Sequence, residues 1–330
     1  MSVVSLFPSA TEVAAELGVV PAAVSHQCDH PPAVDDRPTL TGLVRDLGAD
    51  PADVDRIVAF DDVYYLDGSV LAAADPDVVL TQDVCAVCAL DAGLAHEAVD
   101  RLGLDAAVLD VHADDLEDVL ANVERIGEAI GRPDAAAGLR ADMEGRIARV
   151  RERSAEETDA SVRPRVAVLD WTDPIRHGGL WVPELIAAAG GECGLAEPGV
   201  RAGKVSVDEL RAFDPEAIVV APCGYGVDEA ARAATDLLAR EDLDDLTAVR
   251  TRRVYAMDGA AYFNRHSHRV VDTLEALAEV VRPVAERSTA DPSTADPSTA
   301  DPSTADPSTV DRAAPPRDRV RRVEGRSDVD

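Results

Sequence analysis

Two parts of this 330-residue chain repeat one order of strand and helix signals. Each part opens with an apolar, β-branched run, passes through a polar or aromatic loop, and enters an Ala/Leu-rich helix that ends at Gly. A second helix then stops at Asp-Pro before another apolar run. Alternation of this kind predicts parallel sheets covered by helices. The segments are VVSLFPSATEVAAELG (3–18) with AAADPDVVLTQ (72–82), and RVAVLDWTDPIRHGGLWVPELIAAAGG (165–191) with LRAFDPEAIVVAP (210–222).

The duplication predicts an α/β protein of two similar lobes with mainly parallel sheets, and clefts between lobes commonly bind small molecules. Between the lobes, residues 114–130 and 134–157 have helical patterns. At 1.5 Å per residue the second helix spans roughly 35 Å, enough to join the lobes. We therefore expect an N-terminal lobe, connecting helices, a C-terminal lobe and a tail, bounded as 1–112, 113–160, 161–284 and 285–330.

Local signals add detail to this plan. Ser9 and Glu12 have the spacing of a capping box at the start of the first helix. A last helix is expected over 267–281, stopped by Pro283. Further strands of the parallel sheet are expected at 23–26, 57–60, 77–81 and 107–111.

The C-terminal tail has four copies of Ser-Thr-Ala-Asp-Pro over 288–307 and a degraded fifth copy. A proline in every repeat, with Ala as the main apolar residue, cannot form a buried core. The sequence predicts disorder over 287–330, with an inert tail favoured over a tether or an acidic spacer.

The net charge of −31 excludes a nucleic-acid partner. Because the acidic residues spread over the whole chain and Lys204 is the only lysine, a halophilic, salt-screened surface is favoured over an acidic binding surface. No apolar run approaches the roughly 20 residues that span a bilayer, so no membrane insertion is expected. With no signal peptide before the first strand and an odd number of cysteines, the sequence predicts a cytoplasmic protein, exported only if its start is misassigned.

Aromatic residues make up only 3% of the chain, yet several follow strands of the second half. Trp171 and Trp181 share one connection, Tyr225 follows the next strand, and Tyr262 and Phe263 follow the last. Ligands of open α/β sheets bind at the carboxyl ends of the strands. The pattern therefore favours a cleft for a large, flat, partly apolar ligand over rings that merely pack loop to sheet.

Two loops carry cysteine and histidine. His26 and Cys28 follow a short strand, and Cys85 and Cys88 form a CxxC after another. Together they offer four ligands for zinc or another thiophilic metal. Structural packing of small thiols is the alternative, and a thioredoxin-like redox site is a weaker one.

Signals for catalysis are few. The chain has no GxSxG, P-loop, GxGxxG or HExxH motif. His177, His266 and His268 lie in loops without an obvious nucleophile, so surface or capping roles are expected. The sequence therefore predicts a binding protein, with no catalytic residues and no required cofactor.

The motifs together resemble the class III solute-binding proteins, the cobalamin and iron-complex binding family of ABC uptake systems, in a cytoplasm-like branch without a signal peptide. The resemblance covers nearly all of 1–283 in family order. One departure is His266-Ser267-His268 after YFNR, where relatives commonly carry Pro-Gly-Pro. The matching stretches are SLFPSATEVAAELG, VSHQCDHPP, YYLDGSVLAAADPDVVLTQDVCAVCA, DWTDPIRHGGLWVPELIAAAGG, DPEAIVVAPCGYG and RRVYAMDGAAYFNRHSHRVVDTLEALA.

The resemblance implies two α/β lobes joined by one long helix, a ligand held between them, and an ABC permease as partner. The implied ligand is a metal–tetrapyrrole, cobalamin or another corrinoid first. Alternatives are an iron–siderophore complex for a transporter subunit, or a cytoplasmic chelatase-like enzyme of tetrapyrrole metabolism. The implied ligand-binding residues are Phe7, Ser9, Thr11, Tyr64, Tyr65, Gln82, Trp171, Trp181, Gly224, Tyr225, Tyr262 and Asn264.

Overall fold

A computed structural model describes residues 1–82, 92–157, 163–282 and 320–323. It contains two separate sheets of mainly parallel strands, one in each half of the chain, and the predicted two-lobed α/β fold is confirmed. The N-terminal lobe contains β1 (Val3–Ser5), α1 (Pro8–Glu16), β2 (Ala23–Val24), β3 (Thr41–Leu43), β4 (Ile57–Phe60), β5 (Tyr64–Asp67), α2 (Gly68–Ala74), β6 (Val78–Gln82), α3 (Ala92–Leu102) and β7 (Ala107–Val111).

Two helices, α4 (Leu116–Ala129) and α5 (Pro133–Glu157), connect the lobes. The C-terminal lobe contains β8 (Val166–Thr172), β9 (Ile175–His177), α6 (Val182–Ala188), α7 (Val207–Phe213), β10 (Ala217–Val220), α8 (Val227–Leu238), α9 (Thr247–Arg250), β11 (Val254–Met257), α10 (Val270–Val281) and β12 (Val320–Arg322). Short turns of 3₁₀ helix lie at Pro32–Val34, Val44–Asp46, Pro51–Asp53 and Glu241–Leu243, and a π-helical turn at Gly259–Phe263.

The N-terminal sheet has the order β2-β1-β6-β7, and all its strands are parallel. Its central strands are apolar on both faces because helices cover both sides; Val4 and Leu80, for example, are fully buried. The carboxyl ends of β1 and β6 therefore meet at one edge of the sheet. Phe7 follows β1 at this edge, and Gln82 ends β6.

The prediction that 57–60 joins the parallel sheet is wrong. This strand, β4, lies in a separate antiparallel sheet of order β3-β5-β4. Only three residues separate β4 from β5, too few for the crossover that a parallel pair needs. Asp61 closes the turn, since its carboxylate accepts hydrogen bonds from the backbone N–H groups of Val63 and Tyr64, each at 2.6 Å.

The C-terminal sheet has the order β12-β11-β10-β8-β9. Its three central strands are parallel, and the two edge strands are antiparallel to them. The carboxyl ends of β8, β10 and β11 consequently share one edge. Trp171 lies at the end of β8, and the segments that carry Tyr225 and Tyr262 begin at this same edge, as the sequence predicts.

Helix α5 is the predicted connector and is tied to both sides by arginine. The Arg140 guanidinium bonds Glu117 and Glu124 of α4, at 2.6 and 3.0 Å. One turn and a half further on, Arg146 bonds Asp272 and Glu275 of α10, at 2.6 and 2.7 Å. These ion pairs therefore help to fix the packing of α5. A stripe of apolar residues on the same helix is also buried: Ala136, Met143, Ile147 and Val150.

The prediction of disorder up to the C-terminus is wrong for one segment. Residues 320–322 form β12, antiparallel to β11. An uncovered β11 would leave unpaired backbone groups at the sheet edge, and a short extended segment satisfies them. Val323 donates its N–H to the Val254 carbonyl at 2.9 Å, and Arg321 bonds Asp228 at 2.7 Å. Residues 283–319 and 324–330, which include the repeats, lie outside the described residues.

Removing β12 is expected to destabilise the C-terminal lobe. A chain ending at residue 319 loses the edge-strand hydrogen bonds, and we expect its free energy of unfolding to fall by about 1–3 kcal/mol. Urea unfolding of the two chains measures this. The control Arg321→Ala removes one exposed ion pair and should cost under about 1 kcal/mol. Equal stability of the truncated and full chains would contradict the pairing.

Candidate functional site

The loops at the carboxyl edge of the C-terminal sheet are locked together by backbone hydrogen bonds. The Tyr225 carbonyl accepts from the N–H groups of Gly259 and Ala260, both at 3.0 Å. The Asn264 side-chain amide donates to the Ala221 carbonyl at 3.2 Å. A Cβ at Gly259 would lie 2.8 Å from the Ala221 oxygen, so only glycine allows this approach. Asn264, a predicted ligand residue, thus ties two loops together.

A buried ion cluster joins this edge to the N-terminal lobe. Glu12 of α1 is 1% exposed, and its carboxylate accepts hydrogen bonds from Arg265, Ser267 and Arg269. Arg265 also bonds Asp29 at 2.7 Å. Charge-assisted bonds to each oxygen compensate the desolvation of the carboxylate. The cluster therefore holds α1 against the loop that precedes α10.

The predicted capping box of Ser9 and Glu12 is wrong, because the Glu12 carboxylate is bonded in the ion cluster instead. Phe7 is the N-cap residue of α1, Pro8 occupies the first turn, and no side chain caps the helix. The Glu12 carboxylate points into the contact between the lobes and bonds arginine there. Ser9 is buried, and Thr11 donates its hydroxyl to the Phe7 carbonyl at 3.1 Å. Neither side chain lines an open cleft.

Glu12→Gln is expected to destabilise the protein strongly. The change leaves two buried guanidinium groups without their shared carboxylate, which should cost about 3–5 kcal/mol in the free energy of unfolding. Denaturant unfolding at neutral pH measures the loss. The matched control is Glu16→Gln, one turn later on α1 and exposed, which should change stability by under about 0.5 kcal/mol. Similar losses in both variants would contradict the role of the cluster.

Next to this cluster, the His266 ring fills the contact between the lobes. It stacks on Phe7 of the N-terminal lobe, with ring centroids 5.4 Å apart and planes 20° apart. It also lies 5.6 Å from the Trp181 ring. Its Nε2 is 3.2 Å from Oε1 of Gln82. Three predicted ligand residues, Phe7, Gln82 and Trp181, therefore converge, but they are buried around a histidine of the chain itself.

The expectation of surface or capping histidines is wrong at this loop. His266 is 5% exposed, and burial lowers its pKa to about 4. Burial also lowers the pKa of His268. Within the described part of the chain, Nδ1 of His266 and Nε1 of Trp181 are buried without a hydrogen-bond partner. An unpaired buried polar atom costs roughly 1–3 kcal/mol, so these two atoms offset part of the stability that burial of the two rings provides.

The pKa of His266 makes stability depend on pH. The folded state holds a neutral ring, whereas the unfolded chain takes up a proton near pH 6.5. The contribution of the neutral ring to the free energy of unfolding is fully present above about pH 6.5 and is lost as the pH falls toward about 4. The total loss is about 3 kcal/mol. We expect His266→Gln to lose less stability than the unmodified chain between about pH 7 and about pH 4.5. Urea unfolding at several pH values tests this, with exposed His96→Gln as the control. Parallel pH profiles of His266→Gln and the unmodified chain would contradict it.

Within the C-terminal lobe, Trp171 and Tyr225 form the half-buried wall of a cavity of about 400 Å³. Their rings meet edge to face with centroids 5.3 Å apart. Trp171 Nε1 donates to the Asp173 carbonyl at 2.9 Å, which fixes the indole. Gly224, in the left-handed region at φ 78°, turns the chain just before Tyr225. The charged lining residues are Asp173, Glu229, Arg232 and Asp236.

The remaining predicted ligand residues have local partners. The Tyr64 hydroxyl accepts from Gln27 at 3.0 Å, and its ring is buried beside His26. Tyr65 lies under the Arg56 guanidinium, 5.8 Å from the ring centroid. Tyr262 lies under Arg269 at 4.1 Å and so belongs to the ion cluster. The predicted set therefore divides into a buried contact, a cavity wall and structural tyrosines.

The predicted metal ligands are not brought together within the described residues. His26 Nδ1 is 2.9 Å from the Thr41 hydroxyl, and Cys28 Sγ is 3.1 Å from the Thr11 hydroxyl. Burial raises the pKa of Cys28 to about 12, which disfavours the thiolate that binds metal. Cys85 and Cys88 lie outside the described residues. Among those described, no group of three or more His, Cys, Asp or Glu side chains could hold a metal ion.

The family model described as periplasmic binding protein matches residues 3–261. Because the match covers most of the chain, the chain belongs to this family, which confirms the resemblance seen in the sequence. The family consists of substrate-binding proteins rather than enzymes. In the described part of the chain, no helix is both long and apolar enough to cross a membrane. A search of curated proteins found no match.

Several solved structures share the fold. A periplasmic heme binding protein from Pseudomonas aeruginosa has 20% identity and a TM-score of 0.65, over 86% of this chain and 93% of that one. The periplasmic vitamin B12 binding protein BtuF of Vibrio cholerae has 19% identity and a TM-score of 0.58, over 85% and 96%. The ABC-type Fe3+-hydroxamate transport system from Saccharomonospora viridis DSM 43017 has 21% identity and a TM-score of 0.58, over 84% and 92%. At these identities the similarity shows the fold alone.

Proposed function

We propose that the protein is a solute-binding protein that holds a metal–tetrapyrrole, cobalamin or another corrinoid first, in the cleft between its lobes. The observation that carries this proposal is the set of rings that converges from both lobes. Phe7 comes from the N-terminal lobe, and Trp181 and His266 come from the C-terminal lobe. Trp171 and Tyr225 form a second aromatic surface, at the cavity of the C-terminal lobe. Aromatic faces of this extent suit a large planar ligand.

Electrostatics favour a corrinoid over haem. Three carboxylates and one guanidinium line the cavity, and the whole chain carries a net charge of −31. Haem carries two carboxylates, which this surface repels, whereas the corrin periphery carries neutral amides. The similar folds that bind heme, vitamin B12 and Fe3+-hydroxamate support the broader class of metal complexes. An iron–siderophore complex is therefore the alternative ligand.

The proposed role is to deliver the bound ligand to an ABC permease. Such a role needs reversible binding and no bond making within the ligand. An uptake permease receives its ligand outside the membrane, whereas the cytoplasmic location expected from the sequence stays a prediction. Cell fractionation with an antibody to the full chain tests both, because detection in the cytoplasm alone would contradict delivery to a permease.

Calorimetry and visible spectroscopy with cyanocobalamin, hemin and a ferric hydroxamate test the ligand class. We expect cyanocobalamin to bind with a Kd in the micromolar range or below, and hemin to bind more weakly at low salt. If neither cyanocobalamin nor hemin binds, metal–tetrapyrroles are ruled out as the ligand class. Binding of the ferric hydroxamate alone would establish the alternative.

Substitution of the cavity rings tests where the ligand lies. Trp171→Ala and Tyr225→Ala should each weaken cyanocobalamin binding about tenfold, because each removes an aromatic contact worth about 1–1.5 kcal/mol. Phe60→Ala is the control, since Phe60 is an exposed ring on β4 of the N-terminal lobe and does not line the cavity. Unchanged affinity in both cavity variants would place the ligand elsewhere.

A further inference from the structure

Strand β12 is held at the sheet edge by contacts with a short part of the C-terminal lobe. It pairs with β11 over three residues, and the Arg322 guanidinium donates to the Arg252 carbonyl at 2.6 Å. Val323 is 7% exposed and shares an apolar cluster with Val254 and Ala256. These partners lie within residues 252–257, so a strand with the same side chains makes the same contacts when it comes from a separate molecule.

The segment that contains β12 is basic, whereas the chain as a whole is acidic. Residues 317–326, RDRVRRVEGR, include five arginines and two carboxylates, in a chain of net charge −31. Arg321 bonds Asp228 in the first turn of α8 at 2.7 Å. Opposite charges favour the encounter of two surfaces and suppress wrong partners. The edge of β11 therefore suits an extended, arginine-rich strand that adds to the sheet.

The connection to β12 is much longer than the fold requires. Helix α10 ends near the amino end of β11, where Arg253 donates to the Val280 carbonyl at 2.7 Å. Strand β12 begins at the carboxyl end of β11, where Val320 pairs with Met257. The chain has to return about 10 Å along β11, which is three steps of a strand. The stretch 283–319 spans at most roughly 120 Å. The β11 edge of the same copy and that of a neighbouring copy are therefore both within reach.

The short ladder makes the docked strand only moderately favoured. The loss of stability expected for removal of β12 corresponds to a closed-to-open ratio of about 5 to 150. A flexible tether supplies an effective concentration of about a millimolar. The same strand supplied from another molecule should therefore bind with a Kd of about 10–200 µM. Exchange between copies thus becomes measurable at concentrations that a purified protein reaches.

We propose that the edge of β11 is a docking site for the arginine-rich strand of a second copy of this chain. At high concentration, residues 320–323 of each copy leave their own sheet and pair with β11 of the other copy. The reciprocal exchange pairs both strands and closes a two-fold dimer. Because the contacts of β12 are the same in both forms, the chain concentration and the length of the connection decide between them.

A labelled peptide of residues 317–326 tests the docking site by fluorescence anisotropy, at about 0.5 M salt to screen unspecific attraction to the acidic chain. The acceptor is the full chain with Val323→Pro, which lacks the N–H that bonds the Val254 carbonyl and so leaves its own edge open. We expect this variant to bind the peptide with a Kd of about 10–200 µM. The unmodified chain should bind it about 5- to 150-fold more weakly, because its own strand competes.

The matched control is Val329→Pro, the same change outside β12, which should bind the peptide as weakly as the unmodified chain. A peptide that itself carries Val323→Pro keeps its charge and should bind none of these chains. Equal affinity for both peptides, or no binding by the Val323→Pro chain, would overturn the docking site.

Shortening the connection tests the exchange between copies. A chain without residues 283–318 keeps Arg319 alone between Arg282 and Val320, a link of at most about 7 Å that cannot return along β11. We expect this chain to form dimers in sedimentation equilibrium with a Kd below about 200 µM, because its strand pairs only with another copy. Removal of 288–307 alone leaves enough chain to close on the same sheet and should give a monomer. Val323→Pro in the shortened chain should also give a monomer.

A shortened chain that stays monomeric would overturn the exchange, and together with peptide binding it would assign the edge to a strand of a different protein. A dimer that persists with Val323→Pro would also overturn it, because another surface then joins the copies. If the shortened chain does not fold, sedimentation of the unmodified chain at about 1 mM decides. A dimer that Val323→Pro abolishes supports the inference, and a monomer at that concentration overturns it.

Discussion

The orientation of the two lobes depends on one buried carboxylate. Glu12 is taken out of water on α1, and its cost of desolvation is offset only if Arg265, Ser267 and Arg269 are held at its oxygens. These partners all belong to a single short loop of the C-terminal lobe. A displacement of either lobe would break several charge-assisted bonds at once, so the contact tolerates little sliding. Helix α5 adds a second constraint, since its arginines are bonded to α4 on one side and α10 on the other.

In this acidic chain, single arginines bond several carboxylates at once. With 63 acidic and 32 basic residues, carboxylates outnumber cations, and several arginines each bond more than one carboxylate. Arg140 shows the pattern, since its guanidinium meets Glu117, Glu124 and Glu144 at once. A planar group with five donors can bond several carboxylates in fixed geometry, which a lysine ammonium cannot. The near absence of lysine is consistent with this use.

The sequence predicts the sheets well because their signals are local. Runs such as Val78–Leu80 and Ala217–Val220 are apolar at every position, which identifies strands covered on both faces, and the structure buries them. The π-helical turn and the pairing of β12 leave no comparable local pattern. For β12 the decisive factor is the open edge of β11, more than sixty residues earlier in the chain.

The site is less predictable because its key contacts are long-range. Glu12 lies in a good capping position by sequence, and nothing nearby indicates an arginine partner more than 250 residues away. The burial of His266 is hard to predict for the same reason, since it depends on Phe7 and Gln82 of the other lobe. One signal was available: His266-Ser267-His268 departs from the pattern of relatives at the position where the lobes meet.

That departure also explains why the imidazole is so well fixed. Arg265 on one side of His266 and Ser267 on the other are both bonded to Glu12, and Arg269 completes the anchorage. The ring is therefore positioned by the ion cluster that joins the two lobes. A side chain held in this way has lost its conformational entropy already when the flanking bonds form, so its packing against the other lobe adds stability at little further entropic cost. The ion cluster thus stabilises the lobe contact directly, and also through the ring that it holds against Phe7 and Trp181.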